Sequence, residues 1–175
     1  MPFKFNKDWL VYFSVIKFLF FIPLFFISNL YSLELKCNFE EVYADGSIQN
    51  GFFLIQNQKL RYEYSAERLF TIIHNHDQSF LVRNNDRQII NKITENTEII
   101  EELLYISTKY PDIEKEYTSN DLIIKIEKAL KGDFVKRILI NSPEIKVSIY
   151  FNDCHNIKIP NKYFIHNPFF EYNSN

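Results

Sequence analysis

Fourteen residues, Gly51-Phe-Phe-Leu-Ile-Gln-Asn-Gln-Lys-Leu-Arg-Tyr-Glu-Tyr64, restrict the fold more than any other stretch of the chain. Leu60, Tyr62 and Tyr64 alternate with Arg61 and Glu63. That period of two belongs to a β-strand. Phe52, Phe53, Leu54 and Ile55 form an unbroken apolar run, which predicts a strand covered by apolar material on both faces. Asn57-Gln58 makes the corner between the two strands. A lone hairpin is marginal in water, so the chain must supply further strands.

It supplies them on both sides. Leu33, Leu35, Cys37 and Phe39 alternate with Glu34, Lys36, Asn38 and Glu40, a half-buried strand that turns at Asp45-Gly46. After Tyr64 come two strands, 69–74 and 79–83, flanking the turn Asn75-His-Asp-Gln78. Asn84-Asn85-Asp86 turns again into 88–93. Short strands joined by tight turns form an antiparallel meander. The span 97–107 breaks the pattern. Ile99, Leu103 and Ile106 fall on one helical stripe widened by Ile100 and Leu104, and Glu98, Glu101, Glu102 and Tyr105 face outward. Asn96 or Thr97 can cap this helix. Residues 109–120 read as a loop or a frayed helix. Strands resume at 122–127, 134–140 and 145–151, and a turn over 152–156 leads to a last short strand at Ile157 and Ile159.

The expected fold is α+β: a curved antiparallel sheet, unclosed and half-barrel-like, with one or two short helices as a lid. A sheet of this width curls, and one helix cannot cover its whole face. Such a concavity suits an acyl chain; an ordinary filled core is the alternative. Phe53, Ile55, Tyr62, Tyr64, Ile99 and Leu103 are the candidate cavity residues.

Several of these stretches resemble LolA-type periplasmic lipoprotein carriers, whose pattern is a Gly, an apolar strand, a corner, and a basic-aromatic-acidic-Tyr strand. Gly51, Phe53, Ile55, Leu60, Arg61, Tyr62, Glu63 and Tyr64 follow it in order. Phe80 and Asp86-Arg-Gln-Ile89 continue the rhythm, and the tail 159–168 is similar to the carriers' aromatic and Pro ending. Asn57 stands where the family has Arg, and Asn75-His76 where it has Asp-Gly. The helix that family members carry before the first strand has no counterpart here. The resemblance implies a monomeric, non-enzymatic carrier without cofactor or metal, binding lipoprotein acyl chains. Its implied partners are an inner-membrane lipoprotein-releasing complex and an outer-membrane acceptor.

Residues 1–32 read as an export signal. Lys4, Lys7 and Lys17 are its positive region, Phe18 to Ile27 its apolar region, and Ser32 the small residue before the cut. The rival reading is an uncleaved anchor from Trp9 to Ile27 that tethers an extracytoplasmic interaction domain with a filled core. Residues 33–175 then form one domain, in the periplasm or anchored at the inner membrane facing it. The formal net charge is −2 and no Lys/Arg cluster follows residue 30, so nucleic acid is not an expected partner.

The two cysteines, Cys37 and Cys154, allow one disulfide in an exported chain, or two unpaired thiols. Asp153-Cys-His155 suggests a thiolate nucleophile and thus an exported hydrolase, although sequence neighbours seldom form a catalytic pair. His74 and His76, with Asp77, are two apart as metal ligands would be, but they straddle a turn. Glu95, Glu98, Glu101 and Glu102 are best read as solvated helix surface.

Overall fold

A computed structural model describes residues 33–76, 78–93 and 98–166 of the chain. The segment 1–32, Asp77, Glu95, the cap at Asn96 or Thr97 and the end of the tail at Pro168 lie outside the described residues. Ten strands form a single antiparallel sheet: β1 (Glu34–Tyr43), β2 (Ile48–Gln56), β3 (Lys59–Tyr64), β4 (Phe70–Asn75), β5 (Gln78–Arg83), β6 (Ile89–Ile93), β7 (Glu116–Ser119), β8 (Leu122–Lys128), β9 (Val135–Asn141) and β10 (Lys146–Asn156). Between β6 and β7 lies one α-helix, α1 (Glu98–Lys109). Among the described residues no helix is long and apolar enough to cross a membrane.

The order across the sheet is β6-β5-β4-β3-β2-β1-β10-β9-β8-β7. Strands adjacent in sequence are neighbours in the sheet, with one exception: β1 pairs with β10 at the centre, and the edges β6 and β7 come from mid-chain. The sheet does not close. The helix α1 connects its two edges along the chain and packs through Ile100, Leu103 and Ile106 into the core of the inner face.

Alternation decides which side chains share that core. Cys37 stands opposite Phe53, which stands opposite Tyr62; Leu35 opposes Ile55, which opposes Leu60. These residues cluster with Ile124 and Ile126 of β8, Ile138 and Ile140 of β9, and Val147, Ile149 and Phe151 of β10. The other face of β2 is covered as well. Leu54 is buried beneath Ile159 and Phe164, so the unbroken apolar run has the two apolar covers it requires. Phe164 ends a 3-10 turn, Asn161–Phe164, that crosses the outer face of β3 and β4. Hydrogen bonds fasten it there: Gln56 Nε2 donates to the Ile159 carbonyl, Lys59 Nζ to Asn161 Oδ1 and Arg61 Nη1 to the Tyr163 carbonyl. Beneath it, Arg61 and Glu63 are buried as an ion pair, and Arg87 reaches Glu63 from the side at 3.3 Å.

Three features depart from the sequence reading. Residues 109–120 hold a strand, β7, whose register sets Glu116 beside Lys125 in an ion pair at 3.0 Å. Four residues of polar edge strand carry too little alternation to stand out, and polar edges also resist pairing with other chains. The expected turn over 152–156 is strand. Asp153 takes a left-handed φ of 49° opposite a register shift between Lys36 and Asn38, so β10 bulges without turning, and no separate strand follows at Ile157 and Ile159. Glu102 does not face solvent; it is buried on α1.

Candidate functional site

An apolar cavity of about 260 Å³ lies between α1 and the inner face. Leu60 and Tyr62 from β3, Ile149 from β10, and Ile100 and Leu103 from α1 form its buried walls. Toward its open side stand half-buried Tyr43, Tyr64, Phe70, Ile72 and Ile99, with Ile145 more than a third exposed. Of the residues expected to line it, Tyr62, Tyr64, Ile99 and Leu103 do so. Phe53 and Ile55 are not among the residues lining this cavity. The Phe53 ring is buried against Phe134 at 5.5 Å and Phe151 at 5.1 Å between centroids.

The position of the tyrosines depends on Gly51. It sits opposite Phe39 on one side and Tyr64 on the other. With no side chain there, the Phe39 ring lies over Gly51 and stacks on Tyr62, with centroids 4.0 Å apart and planes 17° from parallel. The same ring meets Tyr64 edge-on at 5.5 Å. This aromatic floor fixes both tyrosines along their length and leaves their hydroxyls at one place.

That place is occupied by Glu41, only 5% exposed. Its carboxylate accepts a hydrogen bond from Tyr62 at 2.7 Å, from Tyr43 at 2.6 Å, and from Tyr64, which stands 3.1 and 3.0 Å from the two oxygens. Burial, together with the adjacent Glu41 carboxylate, pushes the Tyr43 hydroxyl up to about 12 and those of Tyr62 and Tyr64 upward as well. All three therefore keep their protons and donate them. None of the ion pairs among the described residues involves Glu41.

Sequence reasoning missed this carboxylate, although the signal is present. The inward set Leu35, Cys37, Phe39 continues by the same alternation to Glu41 and Tyr43, because β1 runs two residues beyond Phe39 and then on to Tyr43. A second buried carboxylate ties the helix to the sheet edge: Tyr117 of β7 donates to Glu102 of α1 at 2.7 Å, and its ring meets Tyr105 edge-on. Burial, then the bond to Glu102, raises the Tyr117 hydroxyl.

The remaining candidates separate in space. Cys37 on β1 and Cys154 on β10 are bonded to each other, with α-carbons 4.1 Å apart. No thiol is left for the nucleophile that Asp153-Cys-His155 suggested. His74 engages Ser79 at 2.8 Å through Nδ1, and His76 sits in the turn with a left-handed φ of 54°. No metal-binding cluster occurs among the described residues.

No family model matches the chain, and no curated protein matches it. Among solved structures, the chain is similar to a LolA superfamily protein from Nitrosomonas europaea. The match covers 77% of this chain and 90% of that one, at 9% identity and a TM-score of 0.42.

Proposed function

We propose that this protein is an exported, non-enzymatic carrier that shields alkyl chains of a lipidated cargo in the cavity between α1 and the inner face of the sheet. The observation that carries this reading is the cavity itself, an apolar void left open where a well-packed core would be filled. The sequence likeness of Gly51–Tyr64 to LolA-type carriers is what directs the reading to lipoprotein acyl chains among possible apolar cargos.

Magnitudes suit a carrier that must also release. About 0.8 kcal/mol per buried CH₂ gives about 7 kcal/mol for nine methylenes, before association costs are subtracted. A volume of about 260 Å³ takes part of one alkyl chain, so a larger cargo requires α1 to lift. Handover to a second protein is then a matter of competing for α1 and not of breaking a strong complex.

Native mass spectrometry of the protein accumulated in a bacterial periplasm tests the reading. The expected species lacks residues 1–32 and carries lipid that is lost on Leu103→Glu and on Ile99→Glu. A full-length, membrane-bound and lipid-free species would instead leave a tethered interaction domain.

A further inference from the structure

The polar corner of the cavity holds more information than its apolar walls. A tyrosine hydroxyl has one proton to give, and a carboxylate has only lone pairs. Tyr43, Tyr62 and Tyr64 each direct that proton at Glu41. Once the protons are placed there, the three hydroxyls have none left to give. Three protons also fall short of the roughly four lone-pair directions of a carboxylate. Glu41 and the three tyrosines all line the cavity, and the oxygens they bring to it are acceptors around a negative charge.

This asymmetry selects a ligand. A carboxylate or phosphate head would bring a like charge and more acceptors to tyrosines whose protons are already committed to Glu41. A hydroxyl could donate one bond but would leave the charge unbalanced. A primary ammonium brings three protons and the missing positive charge. A carboxylate this deeply buried, with no ion-pair partner among the described residues, is costly unless something balances it. Its neighbours are apolar Ile149 on β10 and Gln49 on β2, whose amide carries no charge, so neither adjacent strand supplies a cation. The cluster adjoins the half-buried side of the void, with Tyr43 and Tyr64 beside Phe70 and Ile72, where a head group enters while its chain points inward.

We propose that the cavity recognises a cationic amphiphile, an alkyl chain bearing a primary ammonium that is held by Glu41 and the oxygens of Tyr43, Tyr62 and Tyr64. The proposal rests on the carrier reading of the cavity and adds the head group to it. The acyl chain supplies affinity and the corner supplies selection, because a wrong head group leaves buried polar atoms unmatched.

Calorimetry with three probes of equal chain length, decylammonium, decanol and decanoate, tests this on the form of the protein that cells accumulate. Decylammonium should bind at least tenfold more tightly than decanol, with decanoate weakest. Glu41→Gln should bring decylammonium down to the affinity of decanol. Tyr43→Phe, at a half-buried position away from the aromatic stack, should weaken decylammonium severalfold and keep the order of the three. Decanoate binding as tightly as decylammonium, or a preference that survives Glu41→Gln, would overturn the proposal while leaving the cavity a carrier of alkyl chains. Failure of all three probes to bind would remove the carrier reading and this proposal with it.

Discussion

The ring of Phe39 lies across Gly51, with its Cε1 2.7 Å from the point where a β-carbon on that glycine would stand. The ring can settle nowhere else without giving up its stack on Tyr62, and Tyr62 holds its hydroxyl on Glu41 through that stack.

Gly51→Ala should therefore destabilise the protein by about 1–3 kcal/mol, the usual cost of an added methyl in a packed interior. It should also loosen the tyrosine cluster. Urea unfolding gives the first quantity, and near-ultraviolet circular dichroism of the aromatic groups reports the second. The added carbon would also meet the Glu63 carbonyl oxygen, so an alanine variant with unchanged midpoint and spectrum would show that both that carbonyl and the Phe39 ring can shift.

The disulfide joins residues 117 apart in the sequence. Chain-entropy arguments put the stabilisation from a loop of about 100 residues near 4.7 kcal/mol, and native bridges are worth about 2–5 kcal/mol when removed. Reduction, or paired Cys37→Ser and Cys154→Ser substitutions, should lower stability within that range. The sheet should keep its strands, because the β1–β10 ladder extends from Leu35 to Tyr43 on either side of the bridge. Far-ultraviolet circular dichroism at low urea checks the second point, and the unfolding midpoint checks the first.

Tyr117→Phe removes the donor from a buried carboxylate. Glu102 then has to be rehydrated or left unpaired, at about 1–3 kcal/mol. The effect should be local. Amide hydrogen exchange should rise along α1 and β7 and stay unchanged in β1, β2 and β10. A uniform rise across the sheet would mean that the bond is part of the global fold and not a clasp on the helix.

The tyrosines around Glu41 predict an alkaline transition. Burial and the neighbouring carboxylate raise Tyr43 to about 12 and shift Tyr62 and Tyr64 in the same direction. A group whose proton is held more tightly when folded contributes its stability in full below its unfolded value, about 10 for tyrosine. That contribution fades as pH climbs from about 10 through the folded value, near 12 for Tyr43. Phenolate absorbance should lag behind that of free tyrosine for these residues and then appear together with unfolding. In Glu41→Gln the lag should shrink, since the carboxylate's share of the shift is gone.

Much of the sheet was legible in the chain because each strand keeps its period of two in its own residues. Leu60, Tyr62 and Tyr64 announce their shared face without any partner, and the stripe of Ile99, Leu103 and Ile106 announces α1. The cover over Leu54 was legible only as a requirement. Its source, Ile159 and Phe164, lies about a hundred residues away, and nothing local connects them. Glu41 and Glu102 were misread or passed over for one reason. A glutamate on a surface strand or helix looks the same as one facing tyrosines across the fold, and only register brings Tyr62, Tyr64 or Tyr117 to it. The cavity was the least legible feature. Phe53 and Tyr62 oppose each other on the same face, yet one is locked among Phe134 and Phe151 while the other borders the void.

The central pairing of β1 with β10 makes the sheet a book bound along its spine. One leaf is β1 to β6 and the other β7 to β10; the ladder and the disulfide are the binding, and the chain between β6 and β7 is a ribbon joining the two fore-edges. Cutting that ribbon within residues 94–115 would not separate the leaves, since Cys37–Cys154 still stitches them at the spine. The same layout places α1 on the ribbon. Both ends of α1 therefore lead along the chain to a fore-edge, one in each leaf.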